Sequence, residues 1–246
     1  MLTAAAALAR LDVNGAAVAR AQTQTPRYRV LAFSRTTGFR HDSIPDAIAA
    51  VQALGVQNVF AIDATEDPSA FRDDNLAQYS AVIFLLTTGH ILDDAQQASF
   101  ERYIASDNGF VGVHSASDTE YDWTWYGGLV GAYFASHPDI QQATIRREDT
   151  EHPSTITSPD LWVRTDEWYN FRTNPRGNPD IRVLASLDES TYSGGTMGDH
   201  PIAWYHNYQG GRAWYTAGGH TSESYSESLF LAHLLGGIEY AAGSSA

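Results

Sequence analysis

The sequence predicts an α/β protein: a three-layer, doubly wound, mostly parallel sheet with a β-rich insertion in its second half. In the first half, short apolar runs alternate with stretches of helical period, and this βαβα order yields a parallel sheet covered by helices on both faces. After Ala143 the grain changes to closely spaced strand-like runs with few helical patterns between them. A third observation is Gly109-Phe110-Val111-Gly112-Val113-His114-Ser115-Ala116-Ser117. It reads as a buried strand entering a sharp elbow whose side chain is pushed out at the strand's carboxyl end.

Taken in order, Tyr28 to Ser34 is a β-rich run, and Ser43-Ile44-Pro45-Asp46 opens a helix to Leu54 with a hydroxyl cap and an early proline. Val56 to Ile62 supplies a second strand, Ala81 to Leu86 a third and Gly109 to Val113 a fourth. Asp93 caps a helical stretch that reaches Ile104, with Phe100, Tyr103 and Ile104 at helix spacing. Ala143 to Arg147, Leu161 to Thr165, Ile181 to Leu187 and Ile202 to Tyr208 follow as strands. Tyr208-Gln209-Gly210-Gly211 is a hairpin turn into Arg212 to Ala217, and an amphipathic helix from about Ser226 to Ala242 closes the domain.

The 246 residues are 43% hydrophobic, enough for a full core, and residues 27–243 read as one domain. No run approaches the roughly 18 apolar residues of a membrane span. A net charge of −14 argues against nucleic acid and anionic membranes, which require basic clusters. The expected partner is a neutral or weakly charged small molecule, and the composition leaves the oligomeric state open. All 15 basic side chains are arginine, so Schiff-base chemistry and a P-loop lysine are excluded; zero cysteine removes thiolate nucleophiles, thiolate metal sites and disulfides. Residues 1–26 are alanine-rich, and Ala19-Arg20-Ala21 resembles an export cleavage site, although Arg10 and Asp12 interrupt the apolar stretch. An exported protein is the expectation, and a cytoplasmic one the alternative.

In an open parallel sheet, ligands bind beyond the carboxyl ends of the strands. His41 follows the first strand in Arg35-Thr36-Thr37-Gly38-Phe39-Arg40-His41, His90 the third, His114 ends the fourth, and His220 follows the last strand in Gly218-Gly219-His220-Thr221-Ser222-Glu223. One histidine after a strand is ordinarily a cap or a packed polar group; four at equivalent positions point to a shared pocket, with His90 the weakest member. Asp118, Trp125 and Tyr126, then His137, mix acids and aromatics in a way that suits a sugar, whose hydroxyls take hydrogen bonds while its CH faces stack on rings. Trp125 and Tyr126 are equally readable as core residues of a short helix. Asp166-Glu167-Trp168-Tyr169 and Gly198-Asp199-His200-Pro201 repeat the mixture in the insertion, where Glu167 and His200 could also form a structural ion pair.

Gly38-Phe39-Arg40-His41, Gly112-Val113-His114-Ser115-Ala116, Asp166-Glu167-Trp168-Tyr169, Gly198-Asp199-His200-Pro201 and Gly219-His220-Thr221, in this order between about Tyr28 and Gly243, resemble the trehalose-utilisation (ThuA-like) family. That resemblance implies a class I glutamine amidotransferase-like, flavodoxin-like fold, in which an elbow cysteine works with a histidine and a glutamate beyond the last strand. His220 and Glu223 match that pair in general placement, with a longer spacing. The nucleophile position is His114, so glutamine hydrolysis through a thioester is impossible here. The resemblance also implies a carbohydrate substrate, in a route where a partner dehydrogenase makes 3-keto sugars. A keto group acidifies its neighbouring C–H, and a His or Glu base then suffices for elimination or isomerisation.

The leading expectation is therefore a hydrolase, lyase or isomerase acting on a disaccharide or its keto derivative. His114 and His220 would exchange protons, Glu223 would orient His220, and Glu167 would bind hydroxyls or share the base role. Arg35, Phe39, Arg40, His41, Asp118, Trp125, Tyr126, His137, Trp168, Tyr169 and His200 would contact the sugar. A non-catalytic sugar-binding module is the second reading. A third is a metal-dependent enzyme with His41, His114, His200 or His220 as ligands beside Glu167 or Asp118; no cofactor is required, and tight ligand spacings such as H-E-x-x-H are missing. A two-carboxylate glycosidase using Asp118, Glu120, Asp122 or Glu167 is a fourth.

Overall fold

The first strand, β1 (Arg29–Phe33), is buried along four of its five residues and leads through a loop to α1 (Ile44–Asn58). In this computed structural model, which describes residues 25–244, the chain continues through β2 (Ala61–Thr65), α2 (Asp73–Leu76), β3 (Ala81–Leu85), α3 (Asp94–Ala105) and β4 (Gly109–Val113). Then come α4 (Thr124–Val130), β5 (Phe134–Ser136), β6 (Gln141–Arg147), β7 (Leu161–Asp166), β8 (Asn170–Phe171), β9 (Arg182–Asp188), β10 (Pro201–Tyr208), β11 (Gly211–Thr216) and α5 (Ser228–Ala241). The alanine-rich leader expected over residues 1–26 lies, save for its last two residues, outside the described residues.

Nine strands form one sheet in the order β2-β1-β3-β4-β11-β10-β9-β6-β7. The five from β2 to β11 are parallel. From β11 onward every pairing is antiparallel, so the insertion extends the sheet rather than forming a separate body. Helices α1 and α5 pack together on one face, and α2 with α3 on the other. The two faces differ in filling. Under α3, Phe71, Phe84, Phe100, Phe110 and Tyr126 stack edge to face or offset, an arrangement favoured by the ring quadrupole. Under α5, Phe230, Leu234 and Ile238 are fully buried, and Gly237 lets the helix approach Trp214, whose ring would lie 2.4 Å from an added Cβ.

The antiparallel half curls back toward α5. Arg164 of β7 lies over the Phe230 ring at 4.6 Å and pairs with Glu227 at 2.9 Å, while Trp162 of the same strand donates to Glu227 at 2.6 Å. The carboxyl end of β7 thereby meets the loop after β11, although three strands separate them in sheet order.

Two expectations are corrected. The strand placed at Val56 to Ile62 is split, because α1 continues to Asn58 and Val59 ends it in the left-handed conformation (φ 58°). Pairing with β1 then begins at Ala61 opposite Arg29; the β-branched Val56, fully out in solvent, misleads because propensity is weaker than tertiary context. Ser43 precedes α1 as expected but does not cap it: its hydroxyl donates to the His220 carbonyl at 2.7 Å. Asp93, by contrast, forms the reciprocal capping box with Gln96.

Candidate functional site

Four loops bring His41, His114, Glu167 and His220 together, with one donor atom from each lying within 4.8 Å of all the others. His114 sits at the β4 elbow with φ 51°, a left-handed conformation that non-glycine residues adopt rarely and that enzyme elbows use to expose a side chain. His41 lies in the loop leading to α1, Glu167 directly after β7 and His220 four residues after β11. Gly219, at φ 108°, allows the turn: a Cβ there would stand 2.8 Å from the Tyr225 hydroxyl.

Asp166 joins these loops. Its fully buried carboxylate accepts backbone N–H groups from Gly219 at 2.8 Å, His220 at 3.0 Å and Glu167 at 3.0 Å, and pairs with Arg164 at 3.0 Å. One strand end thus holds both the glutamate and the histidine-bearing loop. Nothing in the sequence beyond an acid at an inward-facing strand position marked Asp166 for this task.

The hydrogen bonds fix much of the protonation. His114 Nδ1 lies 2.7 Å from the Ala217 carbonyl, which can only accept, so Nδ1 carries a proton. In the neutral ring Nε2 then presents its lone pair to His220 Nδ1 at 3.1 Å and to Glu167 Oε2 at 3.4 Å. His220 Nδ1 is also 3.1 Å from Glu167 Oε2, and His137 Nδ1 is 3.1 Å from Glu167 Oε1. Burial raises the Glu167 pKa, but the close approach of the His114 and His220 rings and the positive charge they carry when protonated outweigh it, holding the carboxyl well below the ordinary range. Burial lowers that of His220, and the Glu167 hydrogen bond and charge outweigh it, pushing the imidazole up. His41 is pushed down to about 3, first by burial and then by the charges of His114 and His220. Both of its ring nitrogens are buried without a hydrogen-bond partner.

Access is graded. His114 is fully buried and Glu167 nearly so, whereas the His220 and His137 side chains are 19% and 42% exposed. Phe39, 64% exposed, sets its ring edge to face against His41 with centroids 4.9 Å apart and forms the lip. Tyr169 lies against His114 at 4.2 Å. Asp118 is half-buried, takes the Tyr121 hydroxyl at 2.6 Å and has its pKa raised by burial, against the opposing hydrogen bond and the charges of His114, Arg172 and His137.

Several expected site residues are elsewhere. Glu223 is exposed in the turn after His220, and the carboxylate on that histidine is Glu167. Tyr126 is fully buried with its hydroxyl on the Ala116 carbonyl, Trp168 is fully buried with its indole N–H on the Gln141 carbonyl, and Trp125 packs on Phe100, Trp123 and Tyr208. All three are packing residues: Trp125 and Tyr126 lie on α4, and Trp168 fills the core from the segment between β7 and β8. His200 is clamped between Glu189 at 2.8 Å and the Tyr169 carbonyl at 2.8 Å, so it supports Tyr169; the ion pair considered for it is with Glu189 and not Glu167. Arg40 forms a two-pronged surface pair with Glu66. Arg35 is half-buried with Nε unpartnered, and His90 sits apart beside Glu120 and Asp122.

A family model described as trehalose utilisation (ThuA) matches residues 29–241. A ThuA-like protein from Bacteroides uniformis ATCC 8492 is 26% identical, with a TM-score of 0.76 over 89% of this chain and 92% of that one. A second, from Parabacteroides merdae ATCC 43184, is 19% identical with a TM-score of 0.73, covering 89% and 90%. A cytoplasmic protein from Salmonella typhimurium LT2 shares the fold at 12% identity and a TM-score of 0.63, covering 87% of this chain and 99% of that one. No curated protein sequence matches significantly. The α/β fold, the glutamine amidotransferase-like architecture and a carbohydrate-related role are those of the matched family. The chain belongs to the trehalose-utilisation (ThuA) family.

Proposed function

We propose that the protein is a carbohydrate-active enzyme that acts on a disaccharide or its 3-keto derivative by proton transfer at the Glu167–His220 pair. The observation that carries this reading is the shared geometry of Glu167, His220 and His114, with spacings of 3.1 to 3.4 Å and a partly exposed imidazole at the front. Glu167 engages Nδ1 of His220, which leaves Nε2 for the pocket, the orientation a carboxylate imposes on a general base or acid. His114, fully enclosed, acts as a positioning residue through His220 rather than on the sugar itself. His137, Phe39 and Asp118 are the groups available to hydroxyls and ring faces at the mouth. An elbow histidine provides no acyl-transfer nucleophile, and removal of a proton beside a ketone needs none. The family description supports a sugar substrate. The alanine-rich residues 1–26 support export, which N-terminal sequencing of protein recovered from the native host would test.

The test is product analysis on a panel of disaccharides and their 3-keto forms, with wild type and His220→Asn. Turnover of at least one keto-disaccharide, reduced roughly 100-fold or more in the variant, is expected for loss of an acid–base group. Tight binding of a disaccharide with no product after long incubation would overturn the enzymatic reading in favour of a binding module.

A further inference from the structure

We infer that His41, His114, Glu167 and His220 form a binding site for one first-row divalent transition-metal cation of the imidazole-preferring class, such as Zn²⁺ or Co²⁺. The inference rests on the reading of this pocket as the reaction centre and refines it: with an ion bound, His220 Nδ1 and Glu167 are ligands, and His220 keeps only its Nε2–H to give to a substrate.

Distances are the first argument. His114 Nε2, His220 Nδ1 and Glu167 Oε2 form a triangle with edges of 3.1, 3.1 and 3.4 Å. Tetrahedral coordination at roughly 2.0–2.1 Å requires ligand atoms roughly 3.3 Å apart, so these three atoms already occupy one face of such a tetrahedron. The His41 donor completes the set within 4.8 Å and needs to close by at most about 1.5 Å to reach the same spacing.

Proton accounting is the second. With the His114 proton committed to Ala217 on Nδ1, the centre of the cluster holds the His114 lone pair and the Glu167 carboxylate, and the Nδ1 proton of His220 serves one of them at a time. His41 adds two buried nitrogens with no partner, an arrangement that costs free energy unless something accepts their lone pair or proton. A cation takes a lone pair from each ring and neutralises the carboxylate in one step.

The surroundings match as well. A ligating histidine typically donates its other ring N–H to a carbonyl, which fixes the tautomer, and His114 does so to Ala217 at 2.7 Å. His137 holds the second oxygen of Glu167 at 3.1 Å, and Asp166 fixes the backbone of both Glu167 and His220. The remaining donors at the mouth, Asp118 and His137, stay outside the set. Three nitrogens and one carboxylate oxygen favour zinc-class ions over Mg²⁺ or Ca²⁺, which take oxygen ligands. With all four side chains bound the tetrahedron is closed, so the ion would polarise a substrate carbonyl only by taking a fifth ligand or by release of His41, the most distant donor.

The decisive experiment uses the whole chain produced without a histidine tag, stripped with chelator and titrated with Co²⁺ and Zn²⁺ by calorimetry and visible absorption. One equivalent per chain, with a Co²⁺ d–d band, is expected. Glu167→Gln and His41→Gln should each weaken binding by at least about 10- to 100-fold, the range already seen for second-shell losses, and His90→Gln should leave it unchanged. Two ligand variants, each checked by circular dichroism, guard against misfolding in one. Binding without a fixed stoichiometry, or equal affinity in the folded ligand variants, would overturn the site. Turnover of a keto-sugar by stripped protein at the full rate would overturn the metal's part in the reaction while sparing the enzymatic reading. Ligand-dependent binding with no turnover of any sugar would do the reverse.

Discussion

Replacing Asp166 with asparagine tests the element that assembles the site. The side chain keeps its volume but loses its charge, and one of its two oxygens becomes a donor. On the native carboxylate, Oδ2 accepts from Gly219 at 2.8 Å and faces Arg164 at 3.0 Å, while Oδ1 accepts from His220 and Glu167, each at 3.0 Å. Whichever way the amide turns, its NH2 meets two donors. Breaking a buried ion pair by neutralising one partner costs about 3–5 kcal/mol. Counting instead two lost charge-assisted hydrogen bonds at roughly 1.5–3 kcal/mol each gives a similar total. Against a total stability of about 5–15 kcal/mol, this is a large fraction. Urea unfolding followed by tryptophan fluorescence should show a loss of about 3 kcal/mol or more, and the His220 ring resonances should shift in the folded variant. A loss below about 1 kcal/mol, with His220 unmoved, would refute the account of how Glu167 and His220 are held together.

Further consequences follow from the packing and from the mouth of the pocket. Burial holds His233 and His152 at about 4, against 6.5 unfolded, so the folded state binds fewer protons than the unfolded chain. Their contribution is present above pH 6.5 and lost as pH falls toward 4, at an upper limit of about 3 kcal/mol each; urea midpoints measured from pH 7 to 4 should fall more steeply in wild type than in His233→Gln. Gly109→Ala would place a Cβ 2.0 Å from the Ala241 carbonyl oxygen, so α5 must shift off β4, at a cost of about 1–3 kcal/mol or more; thermal melts check it. Phe39→Ala removes an exposed ring at the lip and should raise KM for a sugar while leaving stability within about 0.5 kcal/mol.

Much of the architecture was legible because period and punctuation agree with the packing. The strand at Gly109 to Val113 and the Asp93 cap come out as read, since a continuous apolar run and a reciprocal cap are both local signals. The boundary near Val56 was not, because the sheet register that starts β2 at Ala61 is set by β1, which is distant in sequence. The histidines at 41, 114 and 220 were legible from topology, since strand ends in a parallel sheet share one edge. Glu167 was visible as a candidate, but its exclusive place on His220 depends on the antiparallel half curling back, which no local pattern states. Glu223, three residues after His220, matches the amidotransferase-like histidine–glutamate pair only in general placement, and the curl brings Glu167 to that histidine in its stead. Tyr126 stays open between pocket and core, and Trp168 is placed at the pocket, because an aromatic beside an acid looks alike whether it lines a pocket or fills a core; burial separates the two.

The central claim is that the catalytic carboxylate is Glu167, delivered from the insertion, and not Glu223 from the loop after the last strand. Steady-state kinetics of Glu167→Gln and Glu223→Gln on a keto-disaccharide turned over by wild type measures this directly. A fall in kcat of about 100-fold or more for Glu167→Gln, with Glu223→Gln near wild type, is the predicted result. Full turnover in Glu167→Gln, or an equal collapse in Glu223→Gln, would contradict it.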